Sequence, residues 1–166
     1  VDDYLTKVLG KGSNKFLISD YQVEGTKNLD VATTINYTFN IKDYYSEVGD
    51  KIYLNMVLDQ SLIDGLIEKR EVPIENDYLY SNESISVLEF PEGVSLQYLP
   101  PDEAGESEFF SYTIKYKQVG NQVVAKKFFK VNYLTLNVDQ FDSWNEIIKQ
   151  YSKACRNVLI LNKNNN

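Results

Sequence analysis

The stretch from Phe110 to Leu134, FSYTIKYKQVGNQVVAKKFFKVNYL, decides the fold class. Its first part places Phe110, Tyr112, Ile114 and Tyr116 at every second position. Its last part does the same with Val123, Ala125, Phe129, Val131 and Tyr133, and leaves Lys126, Lys130 and Asn132 on the other parity. Side chains on an extended strand alternate between its two faces, so each run has an apolar face and a polar one, as in an antiparallel sheet with one side on a core. Gly120-Asn121 separates the runs, where a tight hairpin turn needs residues that tolerate positive φ. The stretch reads as a long β-hairpin.

The same period recurs on either side of it. Val31, Thr33, Ile35, Tyr37, Phe39 and Ile41 alternate with Ala32, Thr34, Asn36, Thr38 and Asn40, which predicts a strand whose first set faces a core and whose second set faces water. Ile52, Leu54, Met56 and Leu58 predict another, with shorter strands at Lys15 to Gln22, Ser84 to Phe90 and Ser95 to Leu99. Asp3 to Leu9 predicts a short helix ended by Gly10-Lys11-Gly12-Ser13-Asn14, so that residues 1–14 form a helix and a linker from an upstream domain. Gln60 to Pro73 has helical spacing at Leu62, Ile63, Leu66 and Ile67, interrupted by Gly65 and Pro73, and reads as a connection with at most one helical turn.

From Asp139 onward the period changes to three and four. Phe141, Trp144, Ile148, Tyr151 and Cys155 fall on one face of a helix, with Asp139 as its expected cap and Asp142 and Glu146 suited to the positive end of its dipole. Val158 to Leu161 predicts a final strand, and 162–166 a frayed tail. Strands separated by turn signals, with no helix following each strand, indicate mainly β architecture: an antiparallel β-sandwich with one C-terminal α-helix, residues 1–166 forming a single domain.

Composition then narrows the function. The chain has 166 residues, 43% hydrophobic and 25% charged, enough apolar surface to offset chain entropy. Its net charge is -7 with 17 scattered basic residues, which offers little counterion release and argues against nucleic acid as a partner. No apolar run approaches the roughly 20 residues of a membrane-spanning helix, so membrane insertion is not expected. There is no histidine, which removes the usual base partner of Ser and Cys nucleophiles and the commonest zinc and copper ligand. The chain opens at Val1 and its single methionine is Met56, so an upstream segment is expected.

Each candidate site has a plainer reading beside it. Cys155, the single cysteine, has no base nearby in sequence and lies near a helix C-terminus, where the dipole disfavours a thiolate; it reads as core. The carboxylates of Asp43 to Asp50 and Asp102 to Glu108 lack the spacing of a calcium loop and read as solvated acidic loops, so no metal and no cofactor are expected. Arg70 ahead of Pro73 is placed to hold a carboxylate or a carbonyl, an architectural role. Thirteen tyrosines and eight phenylalanines raise a glycan- or peptide-binding platform. Most alternate along strands, where aromatic pairs stabilise a sheet, and the exposed candidates are Tyr44, Tyr45, Tyr78 and Tyr80.

Glu68-Lys69-Arg70-Glu71-Val72-Pro73, Phe90-Pro91-Glu92-Gly93-Val94 with Tyr98-Leu99-Pro100, the hairpin around Gly120, then Tyr133, Phe141, Trp144 and Val158-Leu159-Ile160-Leu161 carry a family resemblance. Over Leu54 to Lys163 the chain resembles the domain of unknown function that follows the transglutaminase-like core in large exported proteins of Bacteroidetes-type bacteria. The resemblance implies a β-sandwich accessory domain downstream of a papain-like fold, exported to the periplasm or cell surface, with upstream domains of the same polypeptide as partners. That core's Cys-His-Asp triad has no match here, so no catalytic residue is carried over. The resulting expectation is a non-catalytic structural or interaction module, not an enzyme by itself; the alternative is a module that binds glycans or extended peptides through exposed tyrosines.

Overall fold

The computed structural model describes residues 16–26 and 30–163. The helix and linker expected over 1–14 lie outside them. Where the sequence pattern reads as one domain, the chain's contacts divide between Tyr44 and Tyr45 into two units.

The first unit is a hairpin of β1 (Phe16–Glu24) and β2 (Thr34–Ile41). The strands run antiparallel with Val23 opposite Ile35, Tyr21 opposite Tyr37 and Ile18 opposite Phe39, and a bulge lies between Ile18 and Asp20. Of the row expected to face a core, Phe39 and Ile41 are half-buried, whereas Ile35 and Tyr37 are each 37% exposed and Val31, ahead of the strand, is 54% exposed. The expectation of a core-facing strand is corrected here: within this unit, no third strand or helix among the described residues covers the apolar row.

The second unit holds β3 (Ser46–Val48), β4 (Lys51–Leu54), β5 (Ile74–Glu75), β6 (Tyr80–Glu89), β7 (Val94–Tyr98) and β8 (Glu103–Glu106). It continues with β9 (Phe110–Val119), β10 (Gln122–Val131), β11 (Thr135–Leu136), a 3-10 turn (Val138–Gln140), α1 (Phe141–Cys155) and β12 (Leu159–Lys163). Two four-stranded antiparallel sheets form, in the orders β6-β10-β9-β8 and β3-β4-β12-β7, beside a small β5-β11 ladder. The protein is mainly β, with antiparallel sheets and a C-terminal helix, as the alternation predicts.

The hairpin that decided the fold is present in full. β9 and β10 pair without a break from Phe110 opposite Val131 to Val119 opposite Gln122. Gly120 takes φ 61° at the turn, with Asn121 on the ordinary side of the map, the pattern of a turn that requires glycine at its first position. Helix α1 lies on the apolar face of this sheet. The Tyr151 ring is 5.1 Å from Phe110, 5.3 Å from Tyr112 and 6.0 Å from Phe129, and Trp144 is 5.7 Å from Phe110. Leu159 and Leu161 of the other sheet join the same continuous core. Close approach of helix and sheet requires Gly105 in β8, where a Cβ would stand 2.5 Å from Tyr112 and 2.9 Å from Ile147.

Other boundaries move for identifiable reasons. The run through Leu58 leaves the sheet after Leu54, because the Asn55 amide donates to the Cys155 carbonyl (2.8 Å) while its oxygen accepts from the Val57 amide (2.6 Å). Met56 and Val57 are then buried side by side and Leu58 is 37% exposed. Asp139 lies inside the 3-10 turn rather than capping it, and the Gln140 side chain accepts from the Asn137 amide at 2.8 Å. Instead of a frayed tail from Asn162, Asn162 and Lys163 continue β12, where Asn162 pairs with both Lys51 and Ser95.

Candidate functional site

The second unit's most concentrated buried polar chemistry forms around Lys127. This residue shares the core-facing row of β10 with Ala125 and Phe129 and is 2% exposed. Its ammonium donates to the Asp59 carboxylate (2.7 Å), to the Asp59 carbonyl (2.8 Å) and to the Tyr151 hydroxyl (3.2 Å). A lysine has three N–H donors, and all are used. The rings of Phe129 and Tyr151 lie 5.5 and 5.8 Å from the same nitrogen, close enough for their faces to favour the charge. The other Asp59 oxygen accepts from the Ser61 hydroxyl (2.6 Å) and amide (3.1 Å), and the Tyr151 hydroxyl donates to the Ser61 carbonyl (3.1 Å).

Cys155 closes the group from α1. It is fully buried, and burial pushes its thiol up, an effect that the hydrogen bond with Tyr151 and the nearby Lys127 charge oppose without reversing. Burial likewise raises the Tyr151 phenol, with Cys155 and Asp59 adding to it. Both groups are held neutral, whereas nucleophilic work needs a thiolate or an activated hydroxyl. The cluster is saturated, closed and apolar-walled: its geometry suits fastening.

What it fastens is the connection after β4. Tyr151 holds the carbonyl of Ser61, Ser152 that of Ile63, and the Trp144 indole that of Gly65 (2.8 Å). Asn145 both donates to the Ile67 carbonyl (2.9 Å) and accepts from its amide (2.8 Å). Alternate residues from 61 to 67 are therefore tied through their backbone to one face of α1. The turn expected there is two tight turns, closed by Ile63 to Gln60 and Gly65 to Leu62, with Leu62 at φ 63°. An open groove of about 650 Å³ runs beside this strap, lined by Ile63, Asp64, Leu66, Glu68, Lys149 and Lys153 among others.

Of the tyrosines proposed from the sequence, Tyr78 and Tyr80 adjoin each other. Tyr78 is 68% exposed, and its ring meets Tyr80 edge-on at 6.2 Å. Tyr80 itself is half-buried and packs on Phe129 at 6.2 Å, and its phenol is raised by burial first, then by Tyr133 and Tyr78. Tyr45 is 53% exposed; Tyr44 is half-buried, and burial raises its phenol. These two fall on opposite sides of the division between units. Arg70 takes the carbonyls of Val72 (3.0 Å) and Pro73 (3.1 Å) in its own loop. Asp102 accepts from the Tyr116 amide (2.9 Å). Among the described residues, no group of three or more His, Cys, Asp or Glu side chains is placed to hold a metal ion.

Sequence reasoning missed Lys127 and Asp59. The signal was present for Lys127, which shares the parity of Val123, Ala125, Phe129 and Val131; a lysine on an apolar row calls for a buried acid.

Residues 50–161 match the model of a family described as a domain of unknown function with solved structure, DUF3858. The chain belongs to this family. The matched span of the DUF3858 domain contains Asp59, Lys127, Tyr151 and Cys155, so the whole polar cluster lies within it, while the β1–β2 hairpin lies outside. A solved structure from Parabacteroides distasonis, described as a "putative protease", is similar in fold, with a TM-score of 0.55 and 17% identity over 68% of this chain. The similarity spans 23% of that protein's chain. No curated protein matches the sequence.

Proposed function

We propose that this DUF3858 domain is a non-catalytic accessory module of a longer exported bacterial protein, packing against neighbouring domains of the same polypeptide, among them a transglutaminase-like core. The observation that carries the reading is the state of its buried chemistry. Lys127, Asp59 and Tyr151 are hydrogen-bonded to one another, to Ser61 and to the 59–61 backbone, and Cys155 is a buried, neutral thiol. A group that must meet a substrate needs both an open valence and access. Similarity to one part of a much longer protein fits a module of this kind.

Hydrogen–deuterium exchange on the longer polypeptide and on the present chain tests it. A contiguous surface of the second unit exchanges more slowly in the longer protein if the domain docks. Identical exchange in both removes docking as its role.

A further inference from the structure

We infer that β6 is a self-pairing edge, through which two copies of this chain join their β6-β10-β9-β8 sheets into one continuous antiparallel sheet. The proposal concerns homotypic association and stands independently of the accessory role.

Sheet edges are usually blunted by shortness, charge, proline or bulges, because their free backbone groups template further pairing. Three of the four edges in the larger sheets follow that rule. β3 has three residues, β8 has four with glutamate at both ends, and the ladder between β7 and β12 is bulged at Ile160/Leu161. β6 is different: it has ten residues, no proline or lysine, and an unbroken register with β10. Its two charged residues are already engaged on its own sheet, Glu83 with Lys126 (2.7 Å) and Glu89 with Gln122 (3.0 Å). Ile85 and Val87 stand 59% and 58% exposed.

The turn at Gly120-Asn121 determines which backbone groups are free. In a two-residue hairpin the flanking residues, here Val119 and Gln122, exchange hydrogen bonds, and bonded and non-bonded pairs then alternate. Even residues of β10 thus bond to β9 and odd ones to β6, where they face Tyr80, Asn82, Ser84, Ser86 and Leu88. The bond from the Phe90 amide to the Asn121 carbonyl (3.2 Å) fits this phase. Ser81, Glu83, Ile85, Val87 and Glu89 therefore direct their N–H and C=O groups outward, and no bond to them on that side is present among the described residues.

Self-complementarity selects the occupant. A twofold axis normal to the sheet at Ile85 sets Ile85 against its counterpart, Glu83 against Val87, and Ser81 against Glu89, so all five outward residues are paired and no like charges oppose. Shifting by two residues in the direction that sets Ser86 against Ser86 brings Glu83 against Glu89; centring on Glu83 brings glutamate against glutamate, a destabilising arrangement. On the inner face, Ser84 meets Ser86, small enough for the closer non-bonded spacing. Edge pairing buries less surface than a standard interface, so the association is a weak one.

The decisive variant is Ile85→Pro. Its lost N–H points away from β10, and proline is tolerated on an edge strand in that phase, so the fold is kept while pairing is blocked. Sedimentation velocity from low micromolar to submillimolar concentration is expected to show a monomer–dimer equilibrium for the parent chain and monomer for Ile85→Pro. Ile85→Lys, which retains every amide and sets two ammonium groups face to face, is expected to be monomeric as well. In the parent dimer, the amides of Glu83, Ile85 and Val87 gain exchange protection while those of Ser84 and Ser86 do not change. A parent chain that stays monomeric overturns the proposal. So do a dimer that survives both substitutions and a dimer in which the odd-numbered amides gain no protection.

Discussion

Lys127 spends its charge inside the core. Taking an ammonium and a carboxylate out of water is costly, and their attraction repays the cost only when the remaining donors and acceptors are met. Here they are met, by the Asp59 carbonyl, the Tyr151 hydroxyl and the Ser61 hydroxyl and amide. Lys127→Met leaves the Asp59 carboxylate, 11% exposed, without its cation, and is expected to destabilise by about 3 kcal/mol or more. Denaturant unfolding of Lys127→Met, Asp59→Asn and the double variant checks this. Strong coupling between the two sites is the expected outcome, and additivity contradicts the pairing. The apolar row of β10 was legible from alternation, but the lysine within it was not read as buried, because its partner lies 68 residues earlier in the chain.

At the scale of elements, the strap along α1 explains why the segment after β4 stays a connection although Leu62, Ile63, Leu66 and Ile67 have helical spacing. A helix would have spent the carbonyls of 61, 63, 65 and 67 internally, whereas α1 takes them up with Tyr151, Ser152, Trp144 and Asn145. Asn145→Ala removes two bonds from Ile67 and is expected to cost about 1–2 kcal/mol, with faster amide exchange at Ile67 while the sheet amides keep their protection. Helix α1 itself was legible, since Phe141, Trp144, Ile148, Tyr151 and Cys155 repeat at its own period and all are buried. The β1–β2 hairpin shows the limit of such a pattern. Alternation says that one face is apolar; it does not say what covers that face.

For the molecule as a whole, the charge states held in the core set its response to alkali. The Tyr116 hydroxyl is buried without a hydrogen-bond partner, and burial, aided by Cys155, Glu103 and Asp102, pushes its phenol from 10.0 to about 12. Tyr151 and Cys155 are raised as well. A raised acid keeps its proton longer in the folded state than in the unfolded one, so its contribution is complete below the unfolded pKa and is lost as pH climbs toward the folded value. Stability is therefore expected to fall through pH 10 to 12. Tyr116→Phe should flatten that fall and change neutral-pH stability by no more than about 1 kcal/mol, as thermal melts across this range would show; an unchanged alkaline slope contradicts the assignment.

The placement of β12 between β4 and β7 bears on how the protein is made. A ribosome delivers residues in order, and the strand that joins the two flanks of this sheet arrives after helix α1. Until Leu159 to Lys163 leave the exit tunnel, β4 and β7 have no common neighbour, so this sheet closes only after helix α1 has been made, and nascent chains halted before that point offer chaperones and proteases an unfinished layer.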